Sequence, residues 1–94
     1  MAYRLSYHTD VKNTDLPKID NKNRTMIKRA IKERLATQPE KYGIPLRRTL
    51  KGYWKLRVGD YRVIFKISGY DIFILGIMNR KCVYSRINKR TIVQ

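Results

Sequence analysis

Hydrophobic and polar residues alternate along two short segments in the second half of the chain, at residues 53–58 and 61–67. Both segments are rich in aromatic and β-branched residues, which strands favour, and the intervening Gly59-Asp60 is typical of a two-residue hairpin turn. Side chains of a strand point alternately to the two faces of a sheet. The alternation therefore predicts a β-hairpin with one apolar face and one basic face.

The length of this turn also predicts the register of the hairpin. With two residues in the turn, Val58 lies opposite Tyr61, and Arg57 consequently faces Arg62. Like charges directly opposite each other destabilise a sheet, so an anion bound between them would explain the pair. Lys55 falls on the same face as the two arginines. The basic face is therefore a candidate phosphate site.

The N-terminal part of the chain shows a strand pattern followed by a helical one. Residues 3–7 alternate and predict a first strand. Thr9 or Asp10 is a suitable N-cap for a short helix that ends at Leu16, because Pro17 interrupts it.

A longer amphipathic helix is predicted from Asn21 to about Ala36, with Asp20 as its N-cap. Apolar residues recur there at helical spacing, namely Met26, Ile27, Ala30, Ile31 and Leu35. Residues 39–45, which begin with Pro39, are predicted to form a loop that leads towards the hairpin.

The C-terminal part begins with a nearly unbroken apolar run at residues 71–78, typical of a strand buried on both faces near the centre of a sheet. Residues 81–84 are a candidate fifth strand, and residues 85–94 are predicted to be a short helix or a mobile tail. The pattern predicts an α+β fold with a small, mainly antiparallel sheet of four or five strands and mixed edges. Two N-terminal helices pack on one face of it. The length favours one domain over residues 1–94.

The net charge of the chain indicates the class of partner that it binds. The chain has 22 Lys and Arg residues against 7 Asp and Glu, a net charge of +15. From residue 45 onward there are 12 basic residues and only Asp60 and Asp71 on the acidic side. This balance favours a polyanion or an acidic protein as partner. A membrane surface is disfavoured because no basic amphipathic helix with an aromatic face is evident.

The common catalytic and metal-binding motifs are missing from the sequence. It has no glycine-rich phosphate loop, no metal-ligand spacing and no Ser-His-Asp set, so we expect no cofactor and no metal. His8 is either a general acid or base, or a surface or helix-capping residue. The single cysteine, Cys82, suits a reducing cytoplasm, and no apolar run reaches the ~20 residues of a membrane span. We expect a cytoplasmic protein.

Basic and phenolic groups are sufficient for one reaction, the cleavage of RNA. RNA carries its own nucleophile, the 2′-hydroxyl, so cleavage requires alignment, charge neutralisation and proton transfer. Arginines can clamp phosphate oxygens, a lysine among other cations can exchange a proton near neutral pH, and a tyrosine can stack on a base. Arg80 and Tyr84, which follow the apolar run, extend the basic face into a candidate constellation.

Residues 50–65 and 79–84 carry a resemblance to a known family. The chain resembles the RelE/ParE superfamily of bacterial and archaeal toxins, and the RelE branch most closely. The resemblance implies a RelE/ParE-like fold and metal-independent cleavage of mRNA in the ribosomal A site. It also implies an acidic, RelB-like antitoxin that silences the toxin. The free toxin is then expected to be a monomer that forms a hetero-oligomer with its antitoxin and has no membrane partner.

The resemblance also implies roles for individual residues. Lys55 is the preferred general base, Arg62 and Arg80 stabilise the phosphorane, and Tyr84 stacks on or orients the base beside the scissile bond. Arg57 matches a basic residue of the family's strand before the turn, and the further RNA-binding candidates of this chain are Tyr53, Lys66, Lys81 and Arg86. Tyr53 stands where some RelE proteins carry a second basic residue.

Two other functions remain open at this point. One is a ParE-like toxin that poisons DNA gyrase and has no catalytic site, because the same hairpin sequence serves that branch. The other is an inactive relative that keeps the basic face as an electrostatic platform for nucleic acid. The Arg80 and Tyr84 pair favours the nuclease.

Overall fold

A five-stranded mixed sheet with helices on both faces forms the α+β fold of this chain. A computed structural model describes residues 2–47 and 50–92, and for residues 91 and 92 it describes only the backbone. The elements are β1 (Arg4–Tyr7), α1 (Asn21–Ala30), α2 (Pro39–Tyr42), β2 (Ile44–Pro45), β3 (Tyr53–Val58), β4 (Tyr61–Ser68), β5 (Asp71–Asn79) and α3 (Val83–Ile92).

The two helices predicted before the hairpin are present, but the first does not end at Leu16: it runs through Pro17 to Lys18, because a proline is tolerated in the first turn of the 3-10 segment. The predicted short helix is present as a π-helical turn at Val11–Asp15 and a 3-10 turn at Leu16–Lys18, together the N-terminal helical segment. Helix α1 continues as a π-helical turn over Ile31–Leu35. The predicted N-cap, Asp20, accepts a hydrogen bond from the backbone N–H of Asn23. Hydrogen bonds from Asn23, chiefly from its side chain, also lower the pKa of the Asp20 carboxyl.

The strand order is β1-β5-β4-β3-β2, with β1 parallel to β5 and the other pairs antiparallel. The predicted hairpin register is confirmed, because Val58 pairs with Tyr61 and Arg57 pairs with Arg62. The apolar run of residues 71–78 lies within β5, between β1 and the central strand β4. The sheet is mixed because its edge strand β1 is parallel to β5.

The sheet buries both of its faces. The first face packs against the N-terminal helical segment and α1, with buried residues such as Ile27, Val63 and Phe65. This confirms the two N-terminal helices on one face. The second face packs against α3, whose Val83 and Ile87 are completely buried. The sequence interpretation offered a short helix or a mobile tail at residues 85–94 and did not assign it to this face.

Two local predictions are wrong, namely the strand at residues 81–84 and the loop at residues 39–45. Residues 81–84 form a turn and the start of α3, because Asn79 closes a turn with hydrogen bonds from the backbone N–H groups of Lys81 and Cys82. Val83 and Ile87 then recur at helical spacing and reach the apolar sheet face. The fifth strand is instead β2, in the predicted loop.

A register shift in β5 produces a β-bulge on the part of the sheet that packs against α3. Ile64 pairs with Gly76 but Phe65 pairs with Ile74, so Leu75 is the extra residue of a β-bulge. Leu75 is buried in the cluster beneath α3. Within the part of the chain that the structure describes, no helix combines the length and apolar character that crossing a membrane requires.

Candidate functional site

Lys55 and Tyr84, 29 positions apart in the sequence, touch on the second face of the sheet. The Nζ atom of Lys55 on β3 donates a hydrogen bond of 3.2 Å to the phenolic oxygen of Tyr84 on α3, and it lies 5.9 Å from the centre of the ring. Tyr84 is 42% exposed, so a substrate in solution can reach the pair. Two of the four predicted catalytic residues are therefore in direct contact.

Arg62 lies on the same sheet face as this pair. Lys55 is opposite Ile64 in β4, two residues along the strand from Arg62, a step of about 7 Å. Nη1 of Arg62 donates to the carbonyl oxygens of Gly59 and Tyr61 at 3.0 and 2.9 Å. A guanidinium has five N–H donors, and these two bonds use only one of its nitrogens. Arg62 is thus held at the turn and retains donors for an anion.

Arg80 is attached to the same turn from the end of β5. Its backbone N–H donates to the carbonyl oxygen of Asp60 at 2.8 Å, and its Nε lies 3.7 Å from Asp60 Oδ1. Met78, two residues earlier, pairs with Arg62 across the β4–β5 ladder. The structure therefore brings Arg62 and Arg80 to one end of the sheet. The exposed ion pair with Asp60 is weak and can exchange for a phosphate.

Four of the five predicted RNA-binding residues surround the Lys55–Tyr84 centre. Tyr53 pairs with Lys66 across the hairpin, and Lys66 Nζ lies 5.7 Å from the centre of the Tyr53 ring. Lys81 is exposed in the turn before α3. Arg57 borders a groove between β3 and α1. The basic surface therefore continues in both directions from Lys55.

Arg86 lies apart from this centre. It borders a cavity of about 130 Å³ together with Lys18, Tyr61 and Asn79. Two residues along a helix correspond to a rotation of about 200°, so Arg86 and Tyr84 lie on opposite sides of α3. Any contact of Arg86 with RNA would be outside the Lys55–Tyr84 centre.

The comparison with protein families identifies the chain. The model of the ParE toxin of type II toxin–antitoxin systems, parDE, matches residues 4–84. The chain belongs to this toxin family, within the RelE/ParE superfamily. A search of curated proteins finds no match to this toxin.

Solved structures agree with this assignment. A chain in the toxin–antitoxin complex RelBE2 from Mycobacterium tuberculosis is 27% identical to the toxin, with a TM-score of 0.78 over 85% of this chain and 93% of that chain. A RelE mutant from Escherichia coli in the free state is 23% identical, with a TM-score of 0.71 over 96% and 98%. The RelB–RelE complex from Methanococcus jannaschii gives 22% and 0.66 over 84% and 94%. The last two show similarity of fold.

The toxin also contains an ion pair that the sequence interpretation missed. Asp15 in the N-terminal helical segment binds Arg90 in α3, 75 positions away, and both side chains are almost completely buried. One signal was present in the sequence. Asp15 follows the buried Val11 by four residues, which places a carboxylate on the buried side of a helix, where it needs a partner. Among the described residues, no group of three or more His, Cys, Asp or Glu residues is placed to hold a metal ion.

Proposed function

We propose that this toxin is a ribosome-dependent, metal-independent endoribonuclease that cleaves mRNA in the ribosomal A site. The observation that carries the proposal is the Lys55–Tyr84 contact, with Arg62 and Arg80 at the adjacent end of the sheet. This group combines a primary amine, a phenol and two guanidinium groups on one accessible surface. Those are the groups that RNA cleavage by its own 2′-hydroxyl requires.

The proposed reaction is a transesterification at one phosphate of the RNA. Lys55, as the general base, takes the proton of the 2′-hydroxyl, and the 2′-oxygen attacks the phosphorus. The bond from phosphorus to the 5′-oxygen breaks, and one of the cationic groups protonates that oxygen. Arg62 and Arg80 stabilise the charge that accumulates on the phosphorane. The products are a 2′,3′-cyclic phosphate, which can open to a 3′-phosphate, and a 5′-hydroxyl.

Tyr84 has two roles in this proposal. Its hydroxyl contacts Lys55 Nζ and so orients the amine, and its exposed ring offers a surface on which a base beside the scissile bond can stack. Tyr53, Lys66 and Arg57 bind the neighbouring RNA on the same strands, and Lys81 and Arg86 add contacts near α3. The net charge of +15 attracts the polyanionic ribosome and mRNA, and this substrate implies a cytoplasmic location.

The partner that silences the toxin is proposed to be an acidic, RelB-like antitoxin. Two of the similar solved structures are toxin–antitoxin complexes of RelB and RelE proteins. A protein with 22 basic residues offers such a partner a strongly complementary surface. We expect the free toxin to be a monomer and its silenced form to be a hetero-oligomer.

A second candidate function is poisoning of DNA gyrase, which is supported by the match to the ParE family model. The two functions make different demands on Lys55 and Tyr84. A gyrase poison needs a binding surface but no proton transfer, so the exchange of Tyr84 for phenylalanine would leave it active. A relative that only binds nucleic acid would neither cut RNA nor trap gyrase on DNA.

The test is primer extension on ribosomes programmed with a defined mRNA, with purified toxin added, alongside a DNA-cleavage assay with gyrase. We expect cuts within the A-site codon from the wild-type toxin and their loss from Lys55→Ala. Arg4→Ala is the matched control, because Arg4 is an exposed basic residue that pairs with Asp71 and makes no contact with the centre. Gyrase-linked DNA breaks without mRNA cuts would establish the ParE-like function instead.

A further inference from the structure

The buried ion pair between Asp15 and Arg90 is bidentate. Nη2 and Nη1 of Arg90 lie 2.6 Å from Oδ1 and Oδ2 of Asp15, respectively. The two side chains are only 3% and 10% exposed. Parallel N–H···O bonds of this kind fix the relative orientation of the two groups as well as their distance. The pair therefore defines where the last turns of α3 lie relative to the N-terminal helical segment.

The same pair is bonded to the backbone of β5. Asp15 Oδ2 accepts a hydrogen bond of 2.9 Å from the N–H of Ile77, and Arg90 Nη1 donates one of 3.1 Å to the carbonyl oxygen of Leu75. The ladder between β1 and β5 ends at the pair Tyr7–Ile74, so these backbone groups lie beyond it. The ion pair thus joins three elements, namely the N-terminal helical segment, β5 and α3.

Close packing at Gly76 also fixes the position of α3, next to the Asp15–Arg90 pair. A Cβ atom at this position would lie 2.5 Å from Cδ1 of Ile87 and 2.9 Å from Nη1 of Arg90. Ile87 is completely buried, and Nη1 of Arg90 is held by Asp15 and Leu75, so neither atom is free to move away. A side chain at residue 76 would push α3 away from the sheet.

The apolar packing of α3 is concentrated in its first half, where two of its side chains enter the cluster on the second face. Among the described side chains of the helix, Val83 and Ile87 are the buried apolar ones. Tyr84, which contacts Lys55, lies six residues before Arg90, about 9 Å along the helix axis. A small tilt of α3 at Arg90 would therefore change the distance between Tyr84 and Lys55.

We propose that Asp15 and Arg90 are positioning residues of the candidate site. Their ion pair, called the clasp below, packs against Gly76 and holds α3 so that the Tyr84 hydroxyl stays in contact with Lys55. The inference rests on the proposed nuclease function for its effect on rate, but the positional effect is measurable without it. A misplacement of about 1 Å in a catalytic group can cost about 10²-fold in rate. The clasp therefore controls turnover from a place that touches no substrate.

Three variants of the full chain test the clasp. Asp15→Asn with Arg90→Met removes the two buried charges, keeps an acceptor for the Ile77 N–H and fills the space of the arginine stem. Asp10, whose carboxylate lies 3.6 Å from Arg90 Nε, is 45% exposed, so no unpaired buried charge remains. Arg90→Lys keeps one charge but loses the bidentate geometry. Gly76→Ala should lift α3 without any change to the chemical groups of Asp15 and Arg90. Lys89→Ala is the matched control, since Lys89 is an exposed basic residue adjacent to Arg90.

The readouts are amide hydrogen exchange of α3, the nuclear Overhauser contact between the Tyr84 ring and the Lys55 side chain, and the kinetics of mRNA cleavage. For the double variant and Gly76→Ala we expect faster exchange in α3 while β4 and β5 stay protected, and loss of the Tyr84–Lys55 contact. We expect kcat to fall about 10²-fold, with a smaller rise in KM because the Tyr84 ring that stacks on a base moves with α3. Arg90→Lys should give an intermediate loss, and Lys89→Ala should match the wild type.

Exchange that accelerates equally throughout the sheet, or an intact Tyr84–Lys55 contact in the double variant, would overturn the proposal and leave the pair a general stabiliser. If the wild-type toxin cuts no RNA, the nuclease function fails, and hydrogen exchange and the Overhauser contact alone then decide whether the clasp positions Tyr84.

Discussion

Arg57 and Arg62 lie directly opposite each other in the β3–β4 hairpin, yet their side chains have different neighbours. Arg62 is bonded to the carbonyl oxygens of its own turn, whereas Arg57 borders the groove between β3 and α1. Binding to carbonyl oxygens relieves part of the repulsion that two facing cations would otherwise feel. We infer different roles for the two arginines, with Arg62 at the scissile phosphate and Arg57 in RNA binding.

This difference leads to the first prediction. Arg62→Ala and Arg80→Ala should each lower cleavage of ribosome-bound mRNA by about 10²–10³-fold, the effect of removing one donor to the charge of a transition state. Arg57→Ala should chiefly raise KM. Single-turnover kinetics separate the two effects. Thermal denaturation is the control for folding, and full toxicity of both Arg62→Ala and Arg80→Ala in cells would contradict the roles that we assign.

The second prediction concerns metal ions. The proposed chemistry uses amine, phenol and guanidinium groups and no carboxylate cluster, so cleavage by purified toxin should proceed unchanged when EDTA has removed divalent ions from the toxin. Because ribosomes themselves require Mg²⁺, the toxin is treated with EDTA and desalted before it is added. Primer extension then gives the rate, and end-labelling should detect 2′,3′-cyclic or 3′-phosphate ends. Activity that disappears on this treatment and returns with Mg²⁺ added to the toxin would refute the mechanism.

The third prediction tests the contact between Lys55 and Tyr84 by a double-mutant cycle. Tyr84→Phe removes the hydroxyl and keeps the ring, so it should lose the orientation of Lys55 but not the stacking of a base. Tyr84→Ala should lose both and be the slower enzyme. If the hydroxyl acts through Lys55, the effects of Lys55→Ala and Tyr84→Phe on cleavage should not add in the double variant, because interacting residues are coupled. Strictly additive effects would show that the contact has no role.

Several parts of this fold follow from local sequence pattern. The hairpin register was predictable because a two-residue turn determines every pair along it, and α1 was predictable from its apolar spacing and its Asp20 cap. The two-residue strand β2 offers no periodicity, and its Pro45 suits only an edge strand. Helix α3 was predicted only as one of two alternatives for residues 85–94, because Val83 and Ile87 alone carry its apolar spacing among the described side chains.

The candidate site was predictable in part. The alternation in β3 and β4 places Lys55 and Arg62 on one face, and this placement is confirmed. Tyr84 was a candidate because it follows the apolar run, but no local pattern predicted its contact with Lys55. The Asp15–Arg90 pair joins residues 75 positions apart, and no local pattern specifies the partner of a lone buried carboxylate. A long-range contact of this kind can be predicted only when the strand order and the position of α3 on the sheet are known.

The fourth prediction concerns the core beneath α1. Ile27 is completely buried and its neighbour Met26 is 42% exposed, so the two residues form a matched pair on one helix. Ile27→Ala should lower the free energy of unfolding by about 2–5 kcal/mol because it removes buried methyl groups and leaves a cavity. Met26→Ala should change it by no more than about 0.5 kcal/mol. Urea denaturation measures both, and equal effects would contradict the packing of α1 on the sheet.

The last prediction concerns the antitoxin. β2 pairs with β3 only at Trp54 and Lys55, so the rest of that edge, towards the turn, can accept an added strand. The adjacent groove between β3 and α1 carries Arg29, Arg34 and Arg57. An acidic antitoxin tail should therefore bind along this edge and associate quickly through long-range attraction, and it would either cover Arg62 and Arg80 or displace α3 with Tyr84.

Stopped-flow measurements at increasing salt test this expectation. The association rate constant should fall steeply as ionic strength rises through about 0.1 M, where the Debye length drops below ~10 Å, while the dissociation rate constant changes less. Arg29→Ala with Arg34→Ala should reduce the salt dependence, whereas Arg4→Ala, on the distant edge strand β1, should reduce it less. An association rate that does not depend on salt, or a complex that still cleaves ribosomal mRNA at full speed, would rule out this mode of silencing.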